Sequence, residues 1–412
     1  MLRFEWEWES APEVRAPELR ATWATLRIDV GDVTATLVED RSSRSGLRRR
    51  INVPTYPLAE WIAYNWWALT SPTPAGRDGF RFADAGDGFP WPCLTLRSGP
   101  GYTLAQLRPA DRAVEAVRFL SGAELLLSPA AVELELRRFV EDTIQQLGDV
   151  GIVKTPLQEE WAEIASADED VIAFCRTSAA LGLDPFDLDD SETKLVLGLG
   201  SGIDDAALVA ELAASTQVSD AESAHAWLRE ALDHIDSVTR APSLALPFEP
   251  LPLGHWERPW RVGYERAERV RDLLRLAPDE RLDVEDLVVI TAVQSDAPHR
   301  IAGLAQARGE GTAVAVPAAA AQRARRFAGA RAIGRRTFDD SRGGLLLTGR
   351  DEYVARVERA FAAEFLAPAA ALERFLGDST SDESLLQAAE WFDVSVRVIE
   401  HQLENRLGRS GI

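Results

Sequence analysis

The chain has 412 residues, 46% of them hydrophobic and 27% charged, an ordinary globular mixture that leaves room for two or three domains and excludes wholesale disorder. A formal net charge of −21 speaks against a nucleic-acid groove, because phosphate binding needs a local excess of Lys and Arg and the dense basic runs are confined to residues 44–50 and 323–336. Cys93 and Cys175 form no C-x-x-C pair, and neither an N-terminal apolar segment nor a membrane-length apolar run occurs, so the expectation is a cytoplasmic protein with no membrane partner and no cysteine metal site.

The first residues alternate, with Leu2, Phe4, Trp6 and Trp8 set against Arg3, Glu5, Glu7 and Glu9, the period-two pattern of a strand. Residues 26–30 and 33–38 are rich in β-branched side chains and flank Gly31-Asp32, which reads as a hairpin. A strand at 51–53 is ended by Pro54 and Pro57, and 58–69 then takes helical spacing through Trp61, Ile62, Trp66 and Leu69. At that spacing Trp61, Trp66 and Trp67 read as core, with Tyr64 reaching outward. After a Pro/Gly loop, 80–82, 93–97 and 114–120 look like strands. Together these make a β-rich α+β domain over residues 1–127.

Ser128-Pro129 opens a helix lined by Leu134, Leu136, Phe139, Val140, Ile144 and Leu147 and closed by Gly148. Thr155-Pro156 repeats the signal, and 167–181 gives another helix closed by Gly182, so residues 128–240 are expected to form a helical domain. Three short motifs in it invite chemistry. Ser191-Glu192-Thr193-Lys194 fits S-x-x-K, but its partner motifs are missing and a helix N-cap is the simpler role. The run 198–202 follows an apolar stretch as a phosphate loop would, yet it lacks both the dinucleotide spacing and a following Lys, and Asp204-Asp205 would repel phosphate; a turn with an Asp cap is expected. Asp184, Asp187, Asp189 and Asp190 lack the Gly and Glu positions of a calcium loop and read as a solvated loop. The Pro-rich segment 241–258 reads as a linker.

From Pro259 onward the pattern is a helix over 260–276, strands near 288–290 and 312–316, helices over 323–336 and 351–366, and a helical group over 385–407. Pro259, Trp260, Gly263 and Tyr264, then Arg326-Phe327, Gly334, the run 361–368 (Phe-Ala-Ala-Glu-Phe-Leu-Ala-Pro), Phe392-Asp393-Val394-Ser395 and Gln402-Leu403-Glu404-Asn405 follow one another in an order and spacing that resembles the ImmA/IrrE family of metallopeptidases over residues 259–412.

That resemblance implies a zincin-like α+β domain at the C-terminus of an α+β chain. In the family, the segment similar to 326–335 reads Arg-Phe-x-x-x-His-Glu-Leu-Gly-His. Two His four residues apart would hold one zinc ion, and the Glu between would activate the bound water. Here Arg331, Ala332 and Arg335 occupy the positions of first ligand, general base and second ligand, and Arg359 stands where the family has Asn, with Glu352 and Glu358 nearby. A guanidinium is protonated at physiological pH and has no lone pair to donate, so two of them repel a divalent cation. None of His225, His234, His255, His299 and His401 lies close in sequence. The expectation is a pseudopeptidase with no catalytic residue, no metal and no cofactor. Arg331 and Arg335 either pair with an acid such as Glu358 across packed helices, or form with it a slot for an anion or partner. The family implies a protein partner, such as a helix-turn-helix regulator in stress response, transcriptional control or phage defence. Two other readings are an active zinc peptidase with a non-standard ligand set and a structural subunit of a defence or toxin–antitoxin assembly.

Overall fold

A computed structural model describes residues 1–40, 46–110, 117–247, 249–277, 279–339, 342–377 and 379–406. The chain is α+β and forms two compact units: Met1–Leu188 with Pro252–Trp256, and Asp189–Leu251 with Glu257–Ile412. The expected boundaries at 127/128 and 240/241 do not coincide with this division.

In the first unit, the alternation of Leu2–Trp8 becomes an antiparallel strand in register with Trp23–Val30, Phe4 opposite Ile28. Trp23–Val30 also pairs with Val33–Thr34 and Ile51–Pro54, giving a four-stranded sheet. The hairpin at Gly31-Asp32 is as expected, but its second strand stops at Thr34 and Val38–Asp40 joins a different sheet, beside Val117–Phe119 and Gly46–Arg48. Residues 114–116, part of the expected strand 114–120, lie outside the described residues. A third, five-stranded sheet runs in the order Gly254–His255, Ala123–Leu127, Tyr102–Leu107, Leu94–Gly99, Phe80–Arg81.

Helices Pro129–Asp149, Pro156–Ser166 and Glu169–Leu181 share a core with these sheets. Phe139 stacks on Phe4 with ring centroids 4.5 Å apart, and Trp66 meets Trp161 edge-on. The helix starts follow the expected capping chemistry: Ser128 accepts from the Ala131 N–H, and Thr155 and Gln158 form a reciprocal capping box. Trp66 and Trp67 are core while Tyr64 is exposed. The aromatic helix is broken at Asn65 into Tyr56–Tyr64 and Trp66–Thr70.

The expected 128–240 domain is thus divided. Its second half, Asp190–Gly200, Ala206–Ser215 and Ala221–Asp236, belongs to the second unit, where Ala221–Asp236 packs against the sheet. Glu230 accepts from the backbone N–H groups of Gln294 and Ser295, and Arg308 donates to the Ile235 carbonyl. Nor is 241–258 a free tether. The Leu244 N–H donates to the Glu310 carbonyl and the Glu249 N–H to the Thr337 carbonyl, while Gly254–His255 supplies the edge strand of the five-stranded sheet.

The second unit is built on a four-stranded sheet ordered Val289–Val293, Gly311–Pro317, Ile301–Arg308, Leu345–Thr348, its first pair parallel and the rest antiparallel. Helices Pro259–Leu273, Gln322–Arg336 and Tyr353–Leu366 pack together, followed by Ala369–Leu376, Asp382–Phe392 and Val396–Arg406. The 385–407 group is two helices joined at Asp393 in the left-handed conformation, φ 51°; residue 407 lies outside the described residues. Among the described residues no helix is long and apolar enough to cross a membrane.

Candidate functional site

The Gln322–Arg336 helix is rich in arginine, yet Arg326, Arg331 and Arg335 are all buried. Buried guanidinium groups must be paired or hydrogen-bonded to be tolerated. Arg326 does so by fastening a turn. It donates to the carbonyls of Leu282 at 2.6 Å and Asp393 at 2.9 Å, and pairs with the Asp393 carboxylate at 3.1 Å.

Arg331 and Arg335, one helical turn apart, point at the neighbouring Tyr353–Leu366 helix. The Arg331 Nη2 donates to Glu358 Oε2 and the Arg335 Nη1 to Glu358 Oε1, each at 2.9 Å, so one carboxylate spans both guanidinium groups. Arg331 also donates to the Thr348 carbonyl at 2.8 Å, and Arg335 lies 3.5 Å from Asp339. Exposure is 3% for Arg331, 4% for Arg335 and 1% for Glu358. Ala332, at the expected position of the base, is fully buried. Burial alone would lower the Arg335 pKa, but the carboxylates of Glu358, Glu211 and Asp339 outweigh it and hold the pKa above its ordinary value. The geometry is that of the helix-to-helix pairing. Glu358 takes one edge of each guanidinium, while the buried Arg331 Nε makes no hydrogen bond among the described residues.

The cluster extends beyond the bridge. Arg350 pairs with Glu352 at 2.7 Å, both buried, and Arg359 donates to the Arg350 carbonyl at 2.9 Å. Burial, then the charge of Arg331, pulls the Arg359 pKa down. Glu211, which sequence reasoning passed over, enters from Ala206–Ser215. Burial pushes its carboxyl up to about 8, with Arg335 opposing and Glu352 and Glu358 reinforcing the rise. A lone Glu in an alanine-rich helix carries no motif, so only its place in the fold could have found it.

Glu211 gives the fold a pH dependence. Unfolded, the carboxyl releases its proton near the ordinary 4.5; folded, it keeps the proton up to about 8. The native state therefore binds more protons in this window, and stability falls as pH rises through it, levelling off above 8. Glu211→Gln is expected to stabilise the chain by about 4–5 kcal/mol at pH 8.5 and to leave it nearly unchanged at pH 4.5. Thermal melts at the two pH values check this, and an equal effect at both would refute it.

The residues that carried the sequence pattern are mostly fasteners. A Cβ on Gly334 would lie 2.7 Å from the Phe361 ring, and one on Gly263 would lie 2.5 Å from the Val357 carbonyl oxygen, so both glycines permit close helix packing about Phe361. Glu364 accepts from the Ala369 N–H and from Gln402 Nε2. Elsewhere, Asp189 and not Ser191 is the N-cap, accepting from the N–H groups of Ser191 and Glu192. Asp184 accepts from the Phe186 N–H. Gly198 and Gly200 end a helix, Gly202 turns with φ 74°, and Asp205 caps the next helix. His299 is exposed, and among the described residues no group of three His, Cys, Asp or Glu side chains converges as metal ligands would.

No protein-family model matches the chain, and no curated protein sequence matches it.

Proposed function

We propose that the C-terminal part of this chain is a zincin-like domain of the ImmA/IrrE type that acts without catalysis, as a regulatory component binding a protein partner. The observation that carries the reading is the Arg331–Glu358–Arg335 bridge. It fills the positions where the resemblance would put two zinc ligands, and it replaces the charge of a metal with two guanidinium groups tied to one carboxylate. Arg has no lone pair for a metal, and Ala332 has no group to move a proton. The partner class that the resemblance implies is a helix-turn-helix regulator, met by binding and not by cleavage.

The test is metal analysis of the full chain purified without chelator, together with incubation against the helix-turn-helix protein encoded nearest its gene. The expected result is zinc far below one per chain and an intact partner. Stoichiometric zinc, with cleavage that a chelator abolishes, would mean an active peptidase with rebuilt ligands and would sink the proposal.

A further inference from the structure

We infer that the free edge of the Leu2–Trp8 strand is a pairing surface for a second copy of this chain, held shut at Phe4 by the side chains of Glu135 and Arg138. Among the described residues Leu2–Trp8 pairs with Trp23–Val30 and with no other strand, so it forms one edge of its sheet. An antiparallel strand turns the N–H and C=O of alternate residues toward its partner and those of the rest away. The Glu9 N–H donates to the Trp23 carbonyl and the Gly31 N–H to the Met1 carbonyl, so the odd-numbered residues face Trp23–Val30. The backbone groups of Leu2, Phe4, Trp6 and Trp8 therefore point to the open edge.

At Phe4 that edge is occupied. The Phe4 N–H donates to Glu135 Oε1 and the Phe4 carbonyl accepts from Arg138 Nη2, each at 2.6 Å. One residue of a neighbouring strand would supply the same acceptor and donor. Glu135 and Arg138 stand about one turn apart on Pro129–Asp149 and are bonded to each other at 2.6 Å. Arg138 is held further by Asp142 at 3.5 Å and by the Trp6 ring, 4.7 Å from its guanidinium carbon. The clip covers Phe4 alone: the edge-facing groups of Leu2, Trp6 and Trp8 make no hydrogen bond among the described residues. A cavity of about 510 Å³ runs along the edge, and Glu135 and Arg138 are the residues of the helix that line it, so two side chains close this edge. Open backbone edges recruit strands, and native sheets block them with charged side chains.

The charges along the strand select the occupant. On the solvent face Arg3 stands opposite Asp29, and Glu5 opposite Arg27. A second copy paired antiparallel about a two-fold axis at Phe4 continues that alternation. Phe4 then meets Phe4, Leu2 meets Trp6, and each Arg3 meets Glu5 of the second copy. Moving the axis one residue either way sets Arg3 against Arg3 or Glu5 against Glu5. Arg3 and Glu5 now pair within the strand at 2.9 Å, an exposed contact that yields readily to the cross-strand one. The favoured register is thus centred on the residue that the clip covers. This edge lies in the first unit, so it stands or falls apart from the bridge in the second.

The experiment is sedimentation equilibrium of the full chain, as wild type and as Glu135→Ala with Arg138→Ala, at equal micromolar concentration. The double variant is expected at about twice the mass of the wild type. Adding Arg3→Glu to it in one sample, and Glu5→Arg in another, should each abolish the doubling, since like charges then face each other. Mixing those two samples sets Glu against Arg at both contacts and should restore it. Amide-resolved hydrogen exchange of the wild type needs no variant: the Phe4 amide should exchange at least about tenfold more slowly than the Trp6 amide on the same strand. Equal masses for wild type and double variant, a doubling that neither charge reversal lowers, or equal protection of Phe4 and Trp6 overturns the inference.

Discussion

Glu358→Ala is expected to destabilise the second unit by about 3–5 kcal/mol, the usual cost of leaving buried charges without their partner. The Glu358 carboxylate is 1% exposed and accepts from both Arg331 and Arg335. Without it, Arg331 keeps the Thr348 carbonyl and Arg335 keeps the more distant Asp339. Neither replaces a charge-assisted bond of 2.9 Å inside the protein. Removing all three charges together, by Arg331→Met, Glu358→Leu and Arg335→Met, should recover most of the loss, because the desolvation cost goes with the charges. Thermal and urea unfolding of the three proteins decide the matter. A Glu358→Ala protein as stable as the wild type would show that the bridge does not hold these helices together.

Much of this architecture was legible in the sequence, and the rest was not, for identifiable reasons. Capping chemistry is local, so the starts at Ser128 and Thr155 could be read directly. The Leu2–Trp8 strand announced itself because one face is buried and the other charged. Ile301–Arg308 lies inside the sheet and Leu345–Thr348 at its edge, but both faces of each are largely covered, and neither shows alternation. Ala123–Leu127 likewise reads as a plain apolar run before a helix. The division of residues 128–240 between the two units depends on tertiary contacts such as Glu230 with residues 294 and 295, which no local pattern encodes. At the candidate site, Arg331 and Arg335 were picked out by the resemblance to the metallopeptidase pattern, and Glu358 as an acid on the next helix. Glu211 and the buried pair Arg350 and Glu352 came only from the fold.

The glycines of the C-terminal pattern make the strongest test of whether that pattern records packing or chemistry. An interior helical Gly is ordinarily a weak point, and replacing it with Ala gains roughly 0.5–1 kcal/mol through backbone entropy. A Cβ on Gly198 would have no atom within 4 Å, so Gly198→Ala should show that gain. Gly263 should show the opposite sign. A Cβ there would meet the Val357 carbonyl oxygen at 2.5 Å, the Ala360 Cβ at 2.7 Å and the Phe361 backbone nitrogen at 2.7 Å. Two of these three atoms belong to the backbone of the packed Tyr353–Leu366 helix and cannot rotate away. Relief requires the two helices to separate, which loosens the seat of Phe361 and shifts the helix that carries Glu358. Gly263→Ala is therefore expected to cost about 3–4 kcal/mol, at or above the upper end for overpacking. Urea denaturation of the two single variants measures both signs in one experiment. Should Gly263→Ala stabilise as Gly198→Ala does, the close approach of these helices would be wrong, and the placement of the Arg331–Glu358–Arg335 bridge between them would lose its support.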